Sequence, residues 1–214
     1  MRRFRSCGKL VDVTDYWTAP RYWEEETAYI LAGGPGLDLI DLERLKGANV
    51  IAINFSFLKA PWADVVYGTD ENFWVAMVDD VGTSALKVTV APGAPKGVLK
   101  LRNTGLCGLE EEPTGLRIGW TSTYAAINLA VHFGANKIVL MGVDMRLVDG
   151  CTHWSGYPQV DVRMKSDPDF CRRYLMPNFD SLVAPLAARE IEVLNATPGS
   201  GLTCFPMVAP ETIY

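Results

Sequence analysis

The chain has 214 residues, 49% of them hydrophobic and 21% charged, which is enough apolar material for the core of one soluble domain. Its formal net charge of −5 argues against a nucleic-acid substrate, because proteins that bind nucleic acid carry a basic surface. No segment reaches the roughly 18 apolar residues of a membrane span, and no apolar stretch of a signal peptide follows the basic N-terminus.

The cysteines indicate the redox environment. There are five, and no two have the C-x-x-C spacing of a zinc site or a redox motif. Scattered cysteines in an odd number are typical of reduced thiols, since disulfides rarely persist in the cytosol. The sequence therefore predicts a cytoplasmic protein with the free thiols Cys7, Cys107, Cys151, Cys171 and Cys204.

The N-terminal half begins with an arm and then alternates between predicted strands and helices. Residues 1–26 mix aromatic and charged side chains without a period. We expect an arm, irregular or with one short strand, that packs through its aromatics and is a candidate surface for a homo-oligomer. Helical spacing predicts one helix from Leu37 to Leu45 that stops at Gly47, and another over residues 71–78. Short apolar runs bounded by glycine or proline predict buried strands at residues 28–32, 49–53 and 63–67.

The C-terminal half returns to this alternation after a less regular region. The glutamates at 110–112 predict a solvated loop, and a helix with a broad apolar face is predicted from Thr121 to Phe133, with Gly134 as its stop. The alternation predicts an α/β, Rossmann-like fold, a mostly parallel sheet flanked by helices, in a single domain over residues 27–214. The other predicted elements are strands at 86–90, 98–101, 137–141 and 191–194, a polar loop at 149–161, and two helices within 168–189, split near Pro177.

Four of the predicted strands end in glycine or polar residues. Ligands of open parallel sheets bind beyond the carboxyl ends of the strands, so we expect these ends to meet in one crevice. The amide of Asn54 suits a base, a ribose or a phosphate, and the carboxylates of Asp70 and Asp144 suit ribose hydroxyls or a metal ion. Each of the three would also serve as a local cap. The glycine-rich loop can approach a phosphate closely, or simply form a tight turn; its residues are Gly33, Gly34, Pro35 and Gly36.

Hydroxyl groups and a histidine complete the candidate site. Thr121, Ser122 and Thr123 open a predicted helix, where they can hold a phosphate or cap the helix. Of the two histidines, His132 lies inside that helix among apolar neighbours and is expected to be structural. His153 lies on the polar loop, where an imidazole can act as a general base near neutral pH or have no role at all.

Taken together, these segments resemble the sialyltransferase-like superfamily over residues 27–201. The superfamily includes bacterial sialyltransferases, the motility accessory factor glycosyltransferases and the archaeal-type 6-hydroxymethylpterin diphosphokinases, and uncharacterised phage proteins are also similar. Gly33-Gly34-Pro35-Gly36 is similar to the G-N-G-P-S loop of the sialyltransferases, without its asparagine and serine. The other similar stretches are Ile53-Asn54 (C-N), Thr121-Ser122-Thr123 (T-S-G), Gly142-Val143-Asp144 (G-x-D), Thr152-His153-Trp154-Ser155-Gly156 (T-H-x-x-G) and residues 195–201 (N-A-T-x-G).

The resemblance implies transfer of a sugar from a nucleotide-activated donor, such as a CMP-linked nonulosonate, to an unknown hydroxyl acceptor. His153 would be the general base, Asp144 would belong to the catalytic site, and no metal would be required. The residues that would hold the donor are Gly33, Gly34, Pro35, Gly36, Asn54, Asp70, Thr121, Ser122 and Thr123.

Two alternatives stay open. The diphosphokinase branch of the superfamily implies ATP with Mg²⁺, and Asp70 and Asp144 would be the candidate metal ligands. A non-catalytic nucleotide-binding module would bind a nucleotide without turning it over.

Overall fold

The computed structural model describes residues 2–6, 9–13, 16–156, 167 and 169–214. Within these residues the α-helices are α1 (Glu71–Met77), α2 (Ser122–His132) and α3 (Met176–Ala187). Its strands are β1 (Arg2–Ser6), β2 (Lys9–Val13), β3 (Thr27–Leu31), β4 (Asn49–Ile53), β5 (Val65–Tyr67), β6 (Leu86–Thr89), β7 (Leu99–Lys100), β8 (Arg102–Gly105), β9 (Gly115–Arg117), β10 (Lys137–Met141) and β11 (Glu192–Asn195).

The main sheet has seven strands in the order β11-β10-β3-β4-β5-β6-β7, and every pair in it is parallel. From β3 the chain advances outward to β7, and it later returns to the other side of β3 with β10 and β11. The order in which the chain adds strands to the sheet therefore reverses between β3 and β10. The mostly parallel, Rossmann-like fold predicted from the sequence is confirmed, and ligands of such sheets bind beyond the carboxyl ends of the strands at this reversal.

Apolar side chains cover both faces of the sheet, because successive residues of a strand point to opposite sides. Ile30 and Ile138 belong to the cluster that includes the side chains of α2 and α3. Leu31 and Val139, one residue further along, belong to the cluster that includes Trp74 of α1. Strands buried on both faces are expected to be continuously apolar, as these are.

The first residues of the chain pair in a way that the sequence does not predict. In place of an irregular arm or a single strand, β1 and β2 form a two-stranded antiparallel sheet. Further along the arm, the rings of Trp17 and Trp23 meet Phe133 edge-on, with centroids 6.3 and 4.6 Å apart. These aromatics pack against the end of α2, as expected for this part of the arm.

Two short 3₁₀ helices, Pro35–Leu39 and Leu42–Leu45, replace the single helix predicted between β3 and β4. The backbone of Ile40 between them is extended, with φ −113° and ψ 131°. Apolar residues recur three apart, from Leu37 to Ile40 and within the second 3₁₀ helix. That spacing fits the roughly three residues per turn of a 3₁₀ helix. The prediction of buried leucines is right, and the prediction of one continuous helix is wrong.

The predicted solvated loop at residues 110–112 is wrong for Glu110, which is only 9% exposed. Its carboxylate accepts hydrogen bonds from the backbone N–H groups of Glu111 and Glu112, at 2.9 and 3.1 Å. Its own N–H donates to Asn128 of α2 at 2.8 Å. A carboxylate can be buried when hydrogen bonds satisfy it in this way, and the sequence pattern does not reveal such bonds.

The helical region near the C-terminus contains a π-helical turn, Cys171–Leu175, that runs directly into α3. The predicted break at Pro177 therefore lies one residue inside the start of α3. Residue 168 of that prediction, and residues 157–161 of the predicted polar loop, lie outside the described residues.

The predictions about thiols and membrane spans can be compared with the described ranges. Cys107, Cys151, Cys171 and Cys204 are free thiols, and Cys7 lies outside these ranges. None of the described helices is long and apolar enough to cross a membrane.

Candidate functional site

A cleft of about 280 Å³ opens at the carboxyl edge of the sheet, where the loops after β3, β4, β5 and β10 meet the start of α2. These segments are far apart in the sequence and adjacent only because parallel strands place their carboxyl ends on one edge. The sequence-predicted residues that line the cleft are Gly33, Gly34, Asn54, Asp70, Thr121, Ser122, Thr123, Asp144 and His153.

Pro35 and Gly36, also predicted to hold the donor, are not among the residues that line the cleft. They begin the first 3₁₀ helix, just behind the cleft wall. The backbone N–H of Gly36 donates to both carboxylate oxygens of Asp144, at 3.0 and 3.2 Å. These hydrogen bonds hold Gly36 against Asp144, which explains why this part of the loop lies behind the cleft wall.

Asp144 connects the glycine-rich loop to the end of β10. Its side chain is 3% exposed and fits against glycines that have no room for a larger residue. A β-carbon on Gly34 would lie 2.0 Å from Asp144 Oδ2, and one on Gly36 would lie 2.9 Å from Oδ1. Burial raises the pKa of the Asp144 carboxyl, while the Gly36 N–H and the charge of Arg146 act in the opposite direction.

The imidazole of His153 packs on the same glycine-rich loop. A β-carbon on Gly33 would lie 2.8 Å from His153 Cδ2, so the ring occupies space that only glycine leaves open. The backbone N–H of Trp154 donates to the Gly33 carbonyl at 2.9 Å. Thr152 Oγ1 lies 2.9 Å from His153 Nδ1. The ring is thus oriented by its neighbour on one side and by the loop on the other.

Trp154 connects the histidine loop to the turn after β4. The ammonium group of Lys59 lies 4.4 Å from the centre of the Trp154 ring, a cation–π contact. The same ammonium group forms an ion pair with Asp38 at 2.6 Å. Three separate loops are therefore joined next to His153.

Asn54 directly follows β4 and has a left-handed backbone, with φ 49°. Its Oδ1 is buried against Gly68 and has no hydrogen-bond partner among the described residues. A buried carbonyl oxygen without a partner destabilises a protein by about 1–3 kcal/mol. A ligand donor that reached this oxygen would recover that free energy.

The start of α2 forms another wall. Thr121 caps the helix, because its hydroxyl oxygen accepts the N–H of Tyr124 at 3.1 Å. The hydroxyls of Ser122 and Thr69 lie 3.0 Å apart, which links α2 to the loop after β5. The first N–H groups of a helix have no partners within the helix, so they can bind an anion in the cleft.

Sequence reasoning missed other residues in the cleft wall. Trp120 is 56% exposed there and has φ 61°, unusual for an aromatic residue. Met145 and Arg146 line the wall just after Asp144, and their position directly beyond the end of β10 is the one signal that could have found them. Cys171 and Leu175 of the π-helical turn also line it, and no sequence pattern marked them.

The described residues contain no group of three or more His, Cys, Asp or Glu side chains arranged to hold a metal ion. Asp70 and Asp144, the candidate metal ligands under the diphosphokinase alternative, both line the cleft. Both oxygens of Asp144 already accept the N–H of Gly36.

Comparisons with known proteins identify the fold. No protein-family model and no curated protein matches the chain. The MAf glycosyltransferase from Magnetospirillum magneticum AMB-1 superposes with a TM-score of 0.63 at 14% identity over 92% of this chain, which spans 36% of that protein. The sialyltransferase CstII from Campylobacter jejuni, in complex with the substrate analogue CMP-3FNeuAc, has a TM-score of 0.51 at 16% identity, covering 86% of both chains. CstII in complex with a trisaccharide acceptor and CMP gives 0.50 at 15% identity, again covering 86% of both. The chain therefore has the same fold as these two glycosyltransferases, as the resemblance in its sequence predicts.

Proposed function

We propose that the cleft binds a nucleotide-activated sugar, such as a CMP-linked nonulosonate, and transfers the sugar to a hydroxyl acceptor. The observation that carries this proposal is the convergence of His153, Asn54 and the start of α2 on one cleft beside the glycine-rich loop. Solved proteins with this fold include one in complex with CMP and a trisaccharide acceptor. The acceptor of this chain is identified only by its chemistry, as a hydroxyl compound.

The donor would lie along the wall formed by Gly33, Gly34, Asn54 and Ser122. Glycines let the backbone approach a nucleotide closely, and the amide of Asn54 suits the polar edge of a base or the hydroxyls of a ribose. The hydroxyl of Ser122 and the N–H groups at the start of α2 suit the phosphate. Thr121 and Thr123 would support this part of the wall, and Asp70 would contact the ribose.

His153 would act as the general base. If Nδ1–H donates to Thr152 Oγ1, Nε2 is the acceptor of the ring and can take the proton of the acceptor hydroxyl. The hydroxyl oxygen then forms a bond to the anomeric carbon while the bond from that carbon to the phosphate oxygen breaks. The electron pair of the broken bond leaves with CMP.

Asp144 would contribute by positioning rather than by proton transfer. Its carboxylate holds the N–H of Gly36, which fixes the glycine-rich loop against which His153 packs. Helix N–H groups and hydroxyls can stabilise the negative charge of the leaving phosphate, so the proposed chemistry requires no metal ion.

The test compares His153→Ala with the unmodified protein. Calorimetry measures the affinity for CMP, and chromatography measures the release of CMP from CMP-N-acetylneuraminate with water as the acceptor. We expect a loss of CMP release of about 100-fold or more with unchanged CMP affinity, because general-base catalysis contributes about 10²–10⁴-fold. Cys151→Ala, an exposed residue on the same loop, is the matched control and should change neither quantity.

Equal CMP release by His153→Ala would reject the role of the imidazole. The same calorimetry with ATP, with and without Mg²⁺, tests the diphosphokinase alternative, which the glycosyltransferase structures do not support. Metal-dependent ATP binding without CMP binding would overturn the proposed donor class. CMP binding without turnover of any CMP-sugar would identify a non-catalytic module.

A further inference from the structure

Arg146 is the one lysine or arginine among the described residues that line the cleft. The whole chain is acidic, with a formal net charge of −5, so it offers a nucleotide phosphate no general attraction. Binding of an anion in this cleft therefore depends on nearby groups. Among the described residues that line the cleft, Arg146 is the one that carries a full positive charge.

The guanidinium group of Arg146 is held in place by the loop after β11. Its Nε donates to the carbonyl of Gly199 in a very short hydrogen bond, and its Nη2 lies 2.9 Å from where a β-carbon of Gly199 would be. Gly199 has a left-handed backbone, with φ 66°. The absence of a side chain at residue 199 is what allows this close approach.

The loop that holds Arg146 is itself tied to the end of β10. Val143 N–H donates to Thr197 Oγ1 at 2.9 Å, and Gly201 N–H donates to the Asp144 carbonyl at 2.8 Å. The hydroxyl of Ser200 donates to the Val143 carbonyl in a further short hydrogen bond. These bonds fix the anchor of the guanidinium before any ligand arrives, which lowers the entropy lost on binding.

The charge of Arg146 acts on the Asp144 carboxyl, but no ion pair neutralises it within the described part of the chain. No carboxylate there forms an ion pair with it, and its contacts through Nε and Nη1 are to the carbonyls of Gly199 and Leu147. A guanidinium has five N–H donors in a planar fork that matches the oxygens of a phosphate. N–H donors of the guanidinium, which lines the cleft, therefore remain for a ligand.

We propose that Arg146 binds the phosphate of the nucleotide donor and stabilises the negative charge on that phosphate as the sugar leaves. This inference rests on the proposed function and adds to Ser122 and the start of α2 a further phosphate contact, from a residue that sequence reasoning missed. When the bond between the anomeric carbon and the phosphate oxygen breaks, the electron pair stays on that oxygen, beside the guanidinium.

The test uses two ligands that differ only in the phosphate, CMP and cytidine, with the unmodified protein and with Arg146→Met. Calorimetry at fixed ionic strength gives both affinities. We expect Arg146→Met to weaken CMP binding by about 10- to 100-fold and to leave cytidine binding unchanged, because a hydrogen bond to a charged group contributes about 1.5–3 kcal/mol. Arg44→Met, which removes a charge that contacts Tyr214 instead of the cleft, is the matched control and should change neither affinity.

Two further readouts separate a phosphate contact from a purely structural role. Arg146→Lys keeps the positive charge without the planar donor set of the guanidinium, so it should retain part of the CMP affinity that Arg146→Met loses. CMP binding by the unmodified protein should weaken with added NaCl more steeply than binding by Arg146→Met. An unchanged CMP affinity in Arg146→Met would overturn the inference, and so would an equal loss of CMP and cytidine affinity, which would make Arg146 a loop anchor only. Failure of the unmodified protein to bind either ligand would instead reject the proposed function.

Discussion

Three residues that line the cleft have a left-handed backbone although none is glycine: Asn54 (φ 49°), Trp120 (φ 61°) and Met145 (φ 51°). Such conformations cost of the order of 1–3 kcal/mol each and persist only where the surrounding structure imposes them. Each lies where the chain leaves a strand or enters a helix at the carboxyl edge of the sheet. At the scale of single residues, the cleft wall thus carries backbone strain that the surrounding structure has to compensate.

Asn54→Gly separates stability from binding. Glycine adopts a left-handed backbone without strain and removes the unpartnered carbonyl oxygen. We expect the free energy of unfolding, measured with urea, to fall by no more than about 0.5 kcal/mol or to rise. The CMP affinity, measured by calorimetry, should fall at least tenfold.

The matched control for this variant is Glu190→Gly, because Glu190 also has a left-handed backbone (φ 57°) and is not part of the cleft wall. It should leave CMP binding unchanged. A large loss of stability in Asn54→Gly, or an unchanged CMP affinity, would show that Asn54 serves the fold and not the ligand.

Gly34→Ala should strongly destabilise the protein. Its β-carbon would lie 2.0 Å from Asp144 Oδ2 and 2.5 Å from the backbone oxygen of Gly142, which accepts the N–H of Gly34 at 2.8 Å. We expect the free energy of unfolding in urea to fall by about 2 kcal/mol or more.

Gly82→Ala is the control for that substitution, since the nearest atom to its β-carbon would be Ser84 Oγ at 3.9 Å. That variant should be neutral or slightly stabilised. Equal stability of the Gly34 and Gly82 variants would contradict the close packing of Asp144 on the glycine-rich loop.

At the scale of elements, α2 connects the cleft to the two-stranded sheet of β8 and β9. The first turn of α2 lines the cleft. At the last residue of the helix, the ring of His132 forms a hydrogen bond with the carbonyl of Gly115 at the start of β9. The Nε2 atom of His132 lies 3.0 Å from that carbonyl oxygen, so Nε2–H donates. The sequence-based expectation of a structural histidine agrees with this contact.

Stability should therefore depend on the protonation of His132. Burial lowers its pKa below the ordinary value of 6.5, against the opposing influence of the Gly115 carbonyl and of Glu110. Because the folded-state pKa is depressed, the stabilising contribution is present above pH 6.5 and is lost as the pH falls through the folded-state pKa. Urea unfolding at pH 7.5 and pH 5.5 should show this fall, and it should be smaller in His132→Asn. Parallel pH profiles for the two proteins would contradict this explanation.

The sequence predicts the elements well where burial alone determines them. The apolar runs that became β3, β4, β5 and β10 are continuous because both faces of the sheet are covered, and α2 is marked by its cap and its apolar face. The type of helix between Leu37 and Leu45 was harder to predict. Apolar spacings of three and four residues both suit an α-helix, and only the packing against the sheet selects 3₁₀ geometry. The prediction that Glu110 is solvated was wrong because the hydrogen bonds to its carboxylate come from neighbouring backbone groups, which no side-chain pattern reveals.

At the scale of the whole molecule, the order of the strands explains why the candidate site exists. The reversal between β3 and β10 leaves a gap that the loops after these strands line from both sides. This much was predictable, because glycines, an amide and carboxylates follow successive parallel strands. The contacts of Thr152 with His153 and of Arg146 with Gly199 were not, since they depend on how the loops after β10 and β11 fold over each other.

The most direct test of the account is to map the CMP site by NMR, from the backbone amide shifts of the ¹⁵N-labelled protein during a titration with CMP. We expect the perturbed amides to cluster around Gly33, Asn54, Ser122, Arg146 and His153, without a requirement for Mg²⁺. Saturable shifts confined to a region away from this cleft, or no shifts at millimolar CMP, would contradict the assignment of a nucleotide-donor site.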